Sequence, residues 1–245
     1  MDAAFRPCAL IPTYDNPHTV RHVVCEVRKH LEDVIVVDDG SGDAGRRAIE
    51  ALAGEGLAIV RRREKNGGKG AAVKTGFAAA SELGFSHAVQ IDADGQHSLE
   101  DLPRFLAAAR AQPEALVLGS PIFDETQPFG RAFGRKISQF WVNLETGGRV
   151  IDDPQCGFRV YPVEAAIAAG ARGNRMQFDQ ELPVRMIWRG ARVLNLPTRV
   201  RYLSEEEGGI SHFQMFRDNA RISAMHTRLV FSLILGASRR SGRPS

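Results

Sequence analysis

The stretch VIVVDDGSGDAG (34–45) decides how this chain is expected to fold. Its first four residues are β-branched, which favours a buried strand, and the glycines that follow indicate a turn. A segment with helical character (44–52) and a second strand-like run (57–61) come next. A strand, a helix and a strand in this order are typical of a βαβ unit in a parallel sheet.

The same alternation extends over the first 120 residues. Strands are predicted at 8–12, 34–39, 57–61, 87–92 and 115–120, and helices from Asn16-Pro17 to Leu31, at 44–52, at 69–83 and at 98–110. Ser98 and Asp101 resemble a capping box at the start of the last of these helices. We therefore predict an α/β fold with a mostly parallel central sheet and helices on both faces.

The pattern is less regular after residue 120. We predict helices at 129–146 and 178–188, strands at 156–162 and within 192–203, and an amphipathic C-terminal helix at about 211–236. No linker stands out, so residues 1–236 are expected to form a single domain, followed by a disordered basic tail at 237–245.

Composition excludes several classes of protein. The 245 residues are 43% hydrophobic and 25% charged with a net charge of +3, which is typical of a globular protein and predicts no nucleic-acid partner. Three cysteines without a CxxC pair predict neither a zinc knuckle nor a disulfide framework. The N-terminus lacks a signal-peptide pattern and the run LVFSLILG (229–236) is too short to span a bilayer, so we expect a cytoplasmic protein.

Carboxylates cluster where predicted strands end, above all in IDADGQH (91–97). If the strand stays extended, Asp92 and Asp94 point the same way, and two such carboxylates repel unless a cation lies between them. Mg²⁺ or Mn²⁺ is typically held by one or two carboxylates and by phosphate oxygens of a substrate. Gly95 permits a turn beside a ligand, and Gln96 offers a neutral oxygen. The alternative is a solvated acidic turn.

Two glycine-rich segments invite a nucleotide-binding interpretation. KNGGKGAA (65–72) is not a P-loop, because Arg63 stands where a glycine is needed and Gly70 where serine or threonine is needed. GSGDAG (40–45) matches a dinucleotide-binding pattern, but it follows the second strand, and Asp38 and Asp39 before it would repel a pyrophosphate.

Five segments, taken together and in this order, resemble the family 2 glycosyltransferases. They are PTYD (12–15), VVDDGS (36–41), NGGKGAAVKTG (66–76), IDADGQH (91–97) and GFRVY (157–161). The likeness is greatest to the dolichyl- and polyprenyl-phosphate sugar transferases and extends to RVRYLSEEEGGISHF (199–213). It implies the nucleotide-sugar-binding A-type fold, a nucleotide-sugar donor, a lipid-linked acceptor, a divalent cation and inversion at the anomeric carbon.

The resemblance also implies roles for individual residues. Asp94 and Gln96, with Asp92 beside the ribose, would bind the cation, and Asp94 and Arg201 would act in catalysis. The donor and acceptor would be bound by Pro12, Thr13, Asp15, Asp38, Asp39, Gly68, Lys69, Asp92, Arg131, Arg135 and Ser211. Arg159 lies on a predicted strand and is as well explained by a structural role.

The acceptor determines whether the site needs a base. A sugar hydroxyl must lose a proton, and Asp179 in QFDQEL (177–182) is the candidate base. A phosphate acceptor is already ionised, and Asp179 would then orient the site or cap a helix. Ser211-His212, where the relatives have Ser-Lys, and the lack of a transmembrane pair after 213 leave a soluble or polyketide-like hydroxyl acceptor open.

A protein that binds nucleotide sugars without catalysis is the second alternative. The C-terminal helix either packs on its own domain or lies on the inner face of a membrane. From Gly208 onward the sequence has six arginines and one aspartate, which suits an anionic surface.

Overall fold

A computed structural model of the protein describes residues 5–123, 129–201 and 215–236, with the backbone alone described at 129–133 and 215–216. The predicted substrate-binding residue Ser211 and the predicted basic tail at 237–245 lie outside the described residues.

The described residues form one seven-stranded sheet in the order β3-β2-β1-β4-β6-β5-β7. Its strands are β1 (Pro7–Thr13), β2 (Val34–Asp38), β3 (Ile59–Arg62), β4 (His87–Gln90), β5 (Leu116–Phe123), β6 (Arg159–Pro162) and β7 (Val193–Val200). All pairings are parallel except those of β6, which runs antiparallel to β4 and β5. The predicted α/β fold with a mostly parallel sheet is confirmed.

Helices cover both faces of this sheet. They are α1 (Val20–Arg28), α2 (Asp43–Gly54), α3 (Lys69–Glu82), α4 (Leu102–Ala111), α5 (Phe129–Thr146), α6 (Val163–Ala169), α7 (Phe178–Trp188) and α8 (Met215–Ile234). Side chains of β1 alternate between two cores: Cys8 and Leu10 face α3, while Ala9 and Ile11 face α1 and α4. This period-2 alternation explains why both faces of β1 can carry apolar residues.

Buried polar contacts fasten α8 to α5 and α7. His226 of α8 places Nδ1 2.8 Å from Glu145 Oε1 of α5 and Nε2 3.0 Å from Gln180 Oε1 of α7. Arg228 donates to Glu181 Oε1 at 2.8 Å. Glu145 and Glu181 are at most 1% exposed, and buried charges of this kind need such partners.

Two predicted strands are shorter than expected. β4 ends at Gln90, not at residue 92, because the chain turns at Ala93-Asp94 and Gly95 takes a left-handed φ of 74°. β6 begins at Arg159, not at residue 156. The Asp153 carboxylate accepts the N–H of Cys156, so the chain bends between these two residues and forms a strand only after them.

Helix α6 was not predicted from the sequence, and the predicted cap at Ser98 differs from the structure. The seven residues of α6 are too few to show a helical period. The predicted capping box at Ser98 is wrong: the Ser98 side chain makes no capping hydrogen bond, and a 3-10 turn (Leu99–Asp101) precedes α4. The Asp101 carboxylate instead accepts hydrogen bonds from Arg104 and Thr198.

Candidate active site

The carboxyl ends of β1, β2 and β4 lie side by side at one edge of the sheet, because these strands are parallel neighbours. Thr13, the last residue of β1, is in register with Asp38 of β2, and the β1–β4 pairing brings the segment after Gln90 to the same edge. Ligands of open α/β sheets bind at such edges.

The two aspartates at the end of β2, Asp38 and Asp39, are buried, and both carboxylates have partners. Asp38 Oδ1 accepts the Ser41 N–H at 2.8 Å, and Oδ2 pairs with Arg62. Asp39 Oδ1 accepts from Arg63 at 2.7 Å, and Oδ2 accepts the Gly68 N–H at 2.6 Å. In this structure, Asp38 and Asp39 therefore shape the loops at the edge of the sheet.

Pro12 and Thr13 are buried at the end of β1, and Asp15 follows in a turn with a φ of 49°. A positive φ is uncommon for a residue other than glycine. Two contacts stabilise it: the Asp15 N–H donates to Ser41 Oγ at 2.9 Å, and Asp15 Oδ1 accepts the Gly42 N–H at 2.9 Å. Three of the predicted substrate-binding residues thus lie at the end of β1 and in the turn after it, which is held to the loop after β2.

The centre of the site is an ammonium group between two carboxylates. Lys69 opens α3 directly after Gly68, whose φ of 95° favours glycine. Its Nζ lies 2.6 Å from Asp92 Oδ1 and 2.7 Å from Asp179 Oδ2, and it donates a hydrogen bond to Asp92 Oδ2 at 2.9 Å. The structure therefore brings together three predicted site residues that are far apart in the sequence.

Asp179 is held from several directions. Its Oδ1 accepts from Gln90 Nε2 at 3.1 Å, its Oδ2 faces Lys69, and its main-chain oxygen accepts from Arg159. Arg159 is fully buried and also donates to the carbonyl oxygen of Pro154 at 2.8 Å. These contacts give Arg159 a structural role and fix the position of Asp179 at the start of α7.

Both members of the Lys69–Asp92 pair are ionised. Burial alone would lower the pKa of the Lys69 ammonium, but Asp179 and Asp92 outweigh burial and raise the pKa above its usual range. Burial would likewise raise the pKa of Asp92, but the Lys69 charge outweighs it and lowers the pKa. Burial lowers the pKa of nearby His97 to about 4, so this imidazole is neutral at physiological pH.

The segment after Asp92 curls back on itself. Asp94 Oδ1 accepts the Gln96 N–H at 3.1 Å, and the Gln96 carbonyl oxygen accepts the Arg201 N–H at 3.0 Å. Asp94, Gln96 and Arg201 therefore lie together, although the extended geometry expected for Asp92 and Asp94 is absent.

The two predicted substrate-binding arginines of α5 are Arg131 and Arg135. Arg135 pairs with Asp153, and its guanidinium carbon lies 4.6 Å from the centre of the Phe123 ring. Arg131 lies one turn earlier on α5, where the backbone alone is described.

Several residues that shape the site were missed. Gln90 is a polar residue in an otherwise apolar strand, and Arg63 entered the sequence analysis only as the residue that excludes a P-loop. Gly157 leaves room for Asp92: a Cβ at this position would lie 2.1 Å from Asp92 Oδ2. No local pattern in the sequence points to this long-range contact.

We expect Lys69→Met to lower the free energy of unfolding at pH 7 by about 3 kcal/mol, because two buried carboxylates lose their cation. Because the pKa of Asp92 is lowered in the folded protein, ionised Asp92 stabilises the fold above the pKa that this residue has in the unfolded chain. This stabilisation is lost as the pH falls through the lower pKa of Asp92 in the folded protein. The difference between the two proteins should therefore shrink below about pH 4.

Urea unfolding with a chelator present, at pH 7 and at about pH 3.5, measures this difference. Lys74→Met is the matched control, since Lys74 lies on the same helix and donates to the Asn174 side chain. A deficit of the same size at both pH values would contradict the ion-pair explanation.

Comparison with known proteins places this fold and site in a family. Residues 8–170 match the model of glycosyl transferase family 2. The polyprenol monophosphomannose synthase of Mycolicibacterium smegmatis is 32% identical over 84% of this chain and 80% of its own length. The UDP-N-acetylglucosamine–dolichyl-phosphate N-acetylglucosaminyltransferase of Methanococcus voltae is 28% identical over 64% of this chain and 69% of its own length.

Among solved structures, glucosyl-3-phosphoglycerate synthase from Mycobacterium tuberculosis, in complex with Mn²⁺ and UDP-glucose, aligns with a TM-score of 0.68. The alignment covers 99% of this chain and 82% of that one at 17% identity, so it shows a common A-type glycosyltransferase fold. Together with the family match over most of the chain, it leads to one conclusion: this protein is a glycosyltransferase of family 2.

Proposed function

We propose that this glycosyltransferase moves a sugar, with inversion, from a nucleoside-diphosphate sugar to a lipid-linked phosphate. The observation that carries the choice of acceptor is the environment of Asp179. Both of its carboxylate oxygens have partners, Gln90 and the Lys69 ammonium. These partners would have to give way before either oxygen could take a proton from a hydroxyl, so the arrangement suits an acceptor that needs no deprotonation.

The names of the relatives support the same acceptor. Those from Mycolicibacterium smegmatis and Methanococcus voltae are named for polyprenol and dolichyl-phosphate substrates. An undecaprenyl-phosphate mannosyltransferase of Micrococcus luteus is also similar, at 28% identity over 78% of this chain. The Mn²⁺ and UDP-glucose bound by the structural relative support a nucleotide-sugar donor and a divalent cation here.

The donor atoms fit a hard divalent cation, either Mg²⁺ or Mn²⁺. Asp92 Oδ1 is buried and accepts no hydrogen bond from any described residue, although the Lys69 ammonium lies 2.6 Å away, so a metal could bind this oxygen once the ammonium gives way. Asp94 and Gln96 lie just beyond it and would complete the protein's share of ligands. The described residues contain no group of three or more His, Cys, Asp or Glu side chains that could hold a metal, so phosphate oxygens would supply the other ligands.

Such a cation would stabilise negative charge that develops on the departing diphosphate. The protein's own residues would bind and orient the substrates. The turn at Pro12, Thr13 and Asp15, shaped by Asp39, would receive the base, and Arg201, next to Gln96, would lie near the phosphates.

Membrane contact would give such an enzyme access to a lipid-linked acceptor. Within the described part of the chain, no helix is long and apolar enough to cross a membrane. However, α5 and α8 pack together, and each exposes apolar side chains. These are Ile137, Phe140 and Leu144 on α5, Phe231 and Ile234 on α8, and Leu235 directly after α8. Lys136, next to Ile137 on α5, and Arg149, three residues after α5 ends, are exposed and suit anionic headgroups.

Asp94→Ala should abolish the Mn²⁺-dependent stabilisation by the cognate nucleoside diphosphate and lower turnover by about a hundredfold or more. A ligand at 100 times its dissociation constant adds about 2.7 kcal/mol of stability, enough to detect in a thermal melt. UDP, GDP, dTDP and CDP would each be tested with and without Mn²⁺. Asp43→Ala, at a side chain that is 79% exposed, is the control. An Asp94→Ala protein that keeps the metal-dependent shift would exclude this metal site.

Asp179→Asn separates the two acceptor classes. With a polyprenyl phosphate and saturating Mn²⁺ we expect kcat to stay within about tenfold of wild type, because no proton has to be removed. If Asp179 is the base for a hydroxyl acceptor, kcat should fall by about a hundredfold or more. That fall, together with transfer to a soluble hydroxyl compound, would establish the alternative function.

Membrane contact can be measured by sedimentation with vesicles. We expect the protein to bind vesicles that contain anionic lipid better than neutral ones, and the variant Phe140→Ser/Phe231→Ser to lose most of this binding. Ile167→Ser, at an exposed apolar residue of α6, is the matched control. Equal binding by wild type and the double variant would show that these helix faces do not contact lipid.

A further inference from the structure

The Lys69 ammonium occupies the space in front of both oxygens of Asp92. It donates to Oδ2 at 2.9 Å and lies 2.6 Å from Oδ1, yet Oδ1 accepts no hydrogen bond from the described residues. Oδ1 is therefore in direct ion-pair contact with the ammonium. An ammonium in this position is well placed to neutralise Asp92, but it stands where a metal ligated by Asp92 would have to approach.

A divalent cation and this ammonium cannot share the Asp92 carboxylate without strong repulsion. Asp92 has little freedom to turn away, because its carboxylate packs against Gly157, where even a Cβ would lie 2.1 Å from Oδ2. Lys69, in contrast, has a flexible four-carbon side chain. If one of the two groups moves when a cation binds, it is Lys69.

The structure offers Lys69 a second place without a large movement. Asp179 Oδ2 is already 2.7 Å from Nζ. Asp179 itself is fixed, since Gln90 donates to Oδ1 and the buried Arg159 holds its main-chain oxygen. The backbone before Lys69 is equally fixed, because Asp39 accepts the Gly68 N–H. A rotation within the lysine side chain is enough to transfer the ammonium from Asp92 to Asp179.

We propose that Lys69 is a positioning residue that alternates between two carboxylates: it neutralises Asp92 while no metal is bound, and it moves onto Asp179 alone when a divalent cation takes its place on Asp92. Asp179 then serves to receive the ammonium. This inference rests on the proposed function, because it assigns Asp92 to the cation.

Mn²⁺ binding without nucleotide tests the exchange, with free Mn²⁺ measured by electron paramagnetic resonance. Lys69→Met removes the competing ammonium and should tighten Mn²⁺ binding about tenfold or more, since one neighbouring charge typically shifts a pKa by one to three units. Asp179→Asn removes the second place for the ammonium and should weaken binding by a similar factor. Lys74→Met, on the same helix, should leave it unchanged.

Independent long-range effects of the two charges on the cation would change the Mn²⁺ affinity of each single variant in the same direction as the exchange. The double variant Lys69→Met/Asp179→Asn decides between the two explanations. If Asp179 acts on the cation only by receiving Lys69, its substitution has no further effect once Lys69 is gone, and the double variant should bind Mn²⁺ as tightly as Lys69→Met. If the two charges act independently, their effects add, the double variant returns to wild-type affinity, and the exchange is excluded.

Circular dichroism at low temperature checks that each variant is folded. If Lys69→Met does not fold, Asp179→Asn still tests the exchange, and unchanged Mn²⁺ affinity in that variant would overturn it. Adding each nucleoside diphosphate separates the inference from the function. If the wild type binds Mn²⁺ in the presence of a nucleotide and the variants have the same Mn²⁺ affinity as the wild type, the exchange is refuted but the proposed function is not. If the wild type binds no Mn²⁺ under any condition, both are refuted.

Discussion

The site depends on one interaction, the contact of the Lys69 ammonium with Asp92 and Asp179. It joins the start of α3, the segment after β4 and the start of α7, three elements that are distant in the sequence. Without the ammonium, two carboxylates would face each other in a largely buried space, which is strongly unfavourable. With the ammonium between them, the two carboxylates are held close together at a place where a charged ligand could bind.

The arrangement depends on β6, which among the described strands is the one that runs antiparallel to its neighbours. Antiparallel β6 lies between β4 and β5, and it begins with Arg159, which holds the backbone of Asp179. Just before it, Gly157 leaves room for the Asp92 carboxylate. Nearer the first strands, Asp39 ties the Gly68 turn to β2. The acidic and glycine-rich motifs are thus connected through buried polar contacts as well as through the sheet.

Local patterns predicted most of the fold. Short apolar runs, β-branched in the case of β2, indicated the parallel strands, and the predicted helices at 129–146 and 178–188 match α5 and α7 to the residue. The seven-residue α6 was too short to be recognised, and the strand before Asp92 was extended too far because the pattern of apolar residues does not show where a backbone turns. Lys69 was expected near the nucleotide. Its contacts with Asp92 and Asp179 were not foreseen, because they depend on tertiary packing and no sequence period encodes them.

Helix α7 uses three consecutive residues for two tasks. Asp179 receives Lys69, while Gln180 and Glu181 bind His226 and Arg228 of α8. The carboxylate cluster is therefore anchored by a helix that the ribosome makes nearly fifty residues later, at positions 215–234. The motifs between residues 12 and 97 leave the exit tunnel early, but the framework that fixes Asp179 is complete only once α8 has been synthesised and has docked.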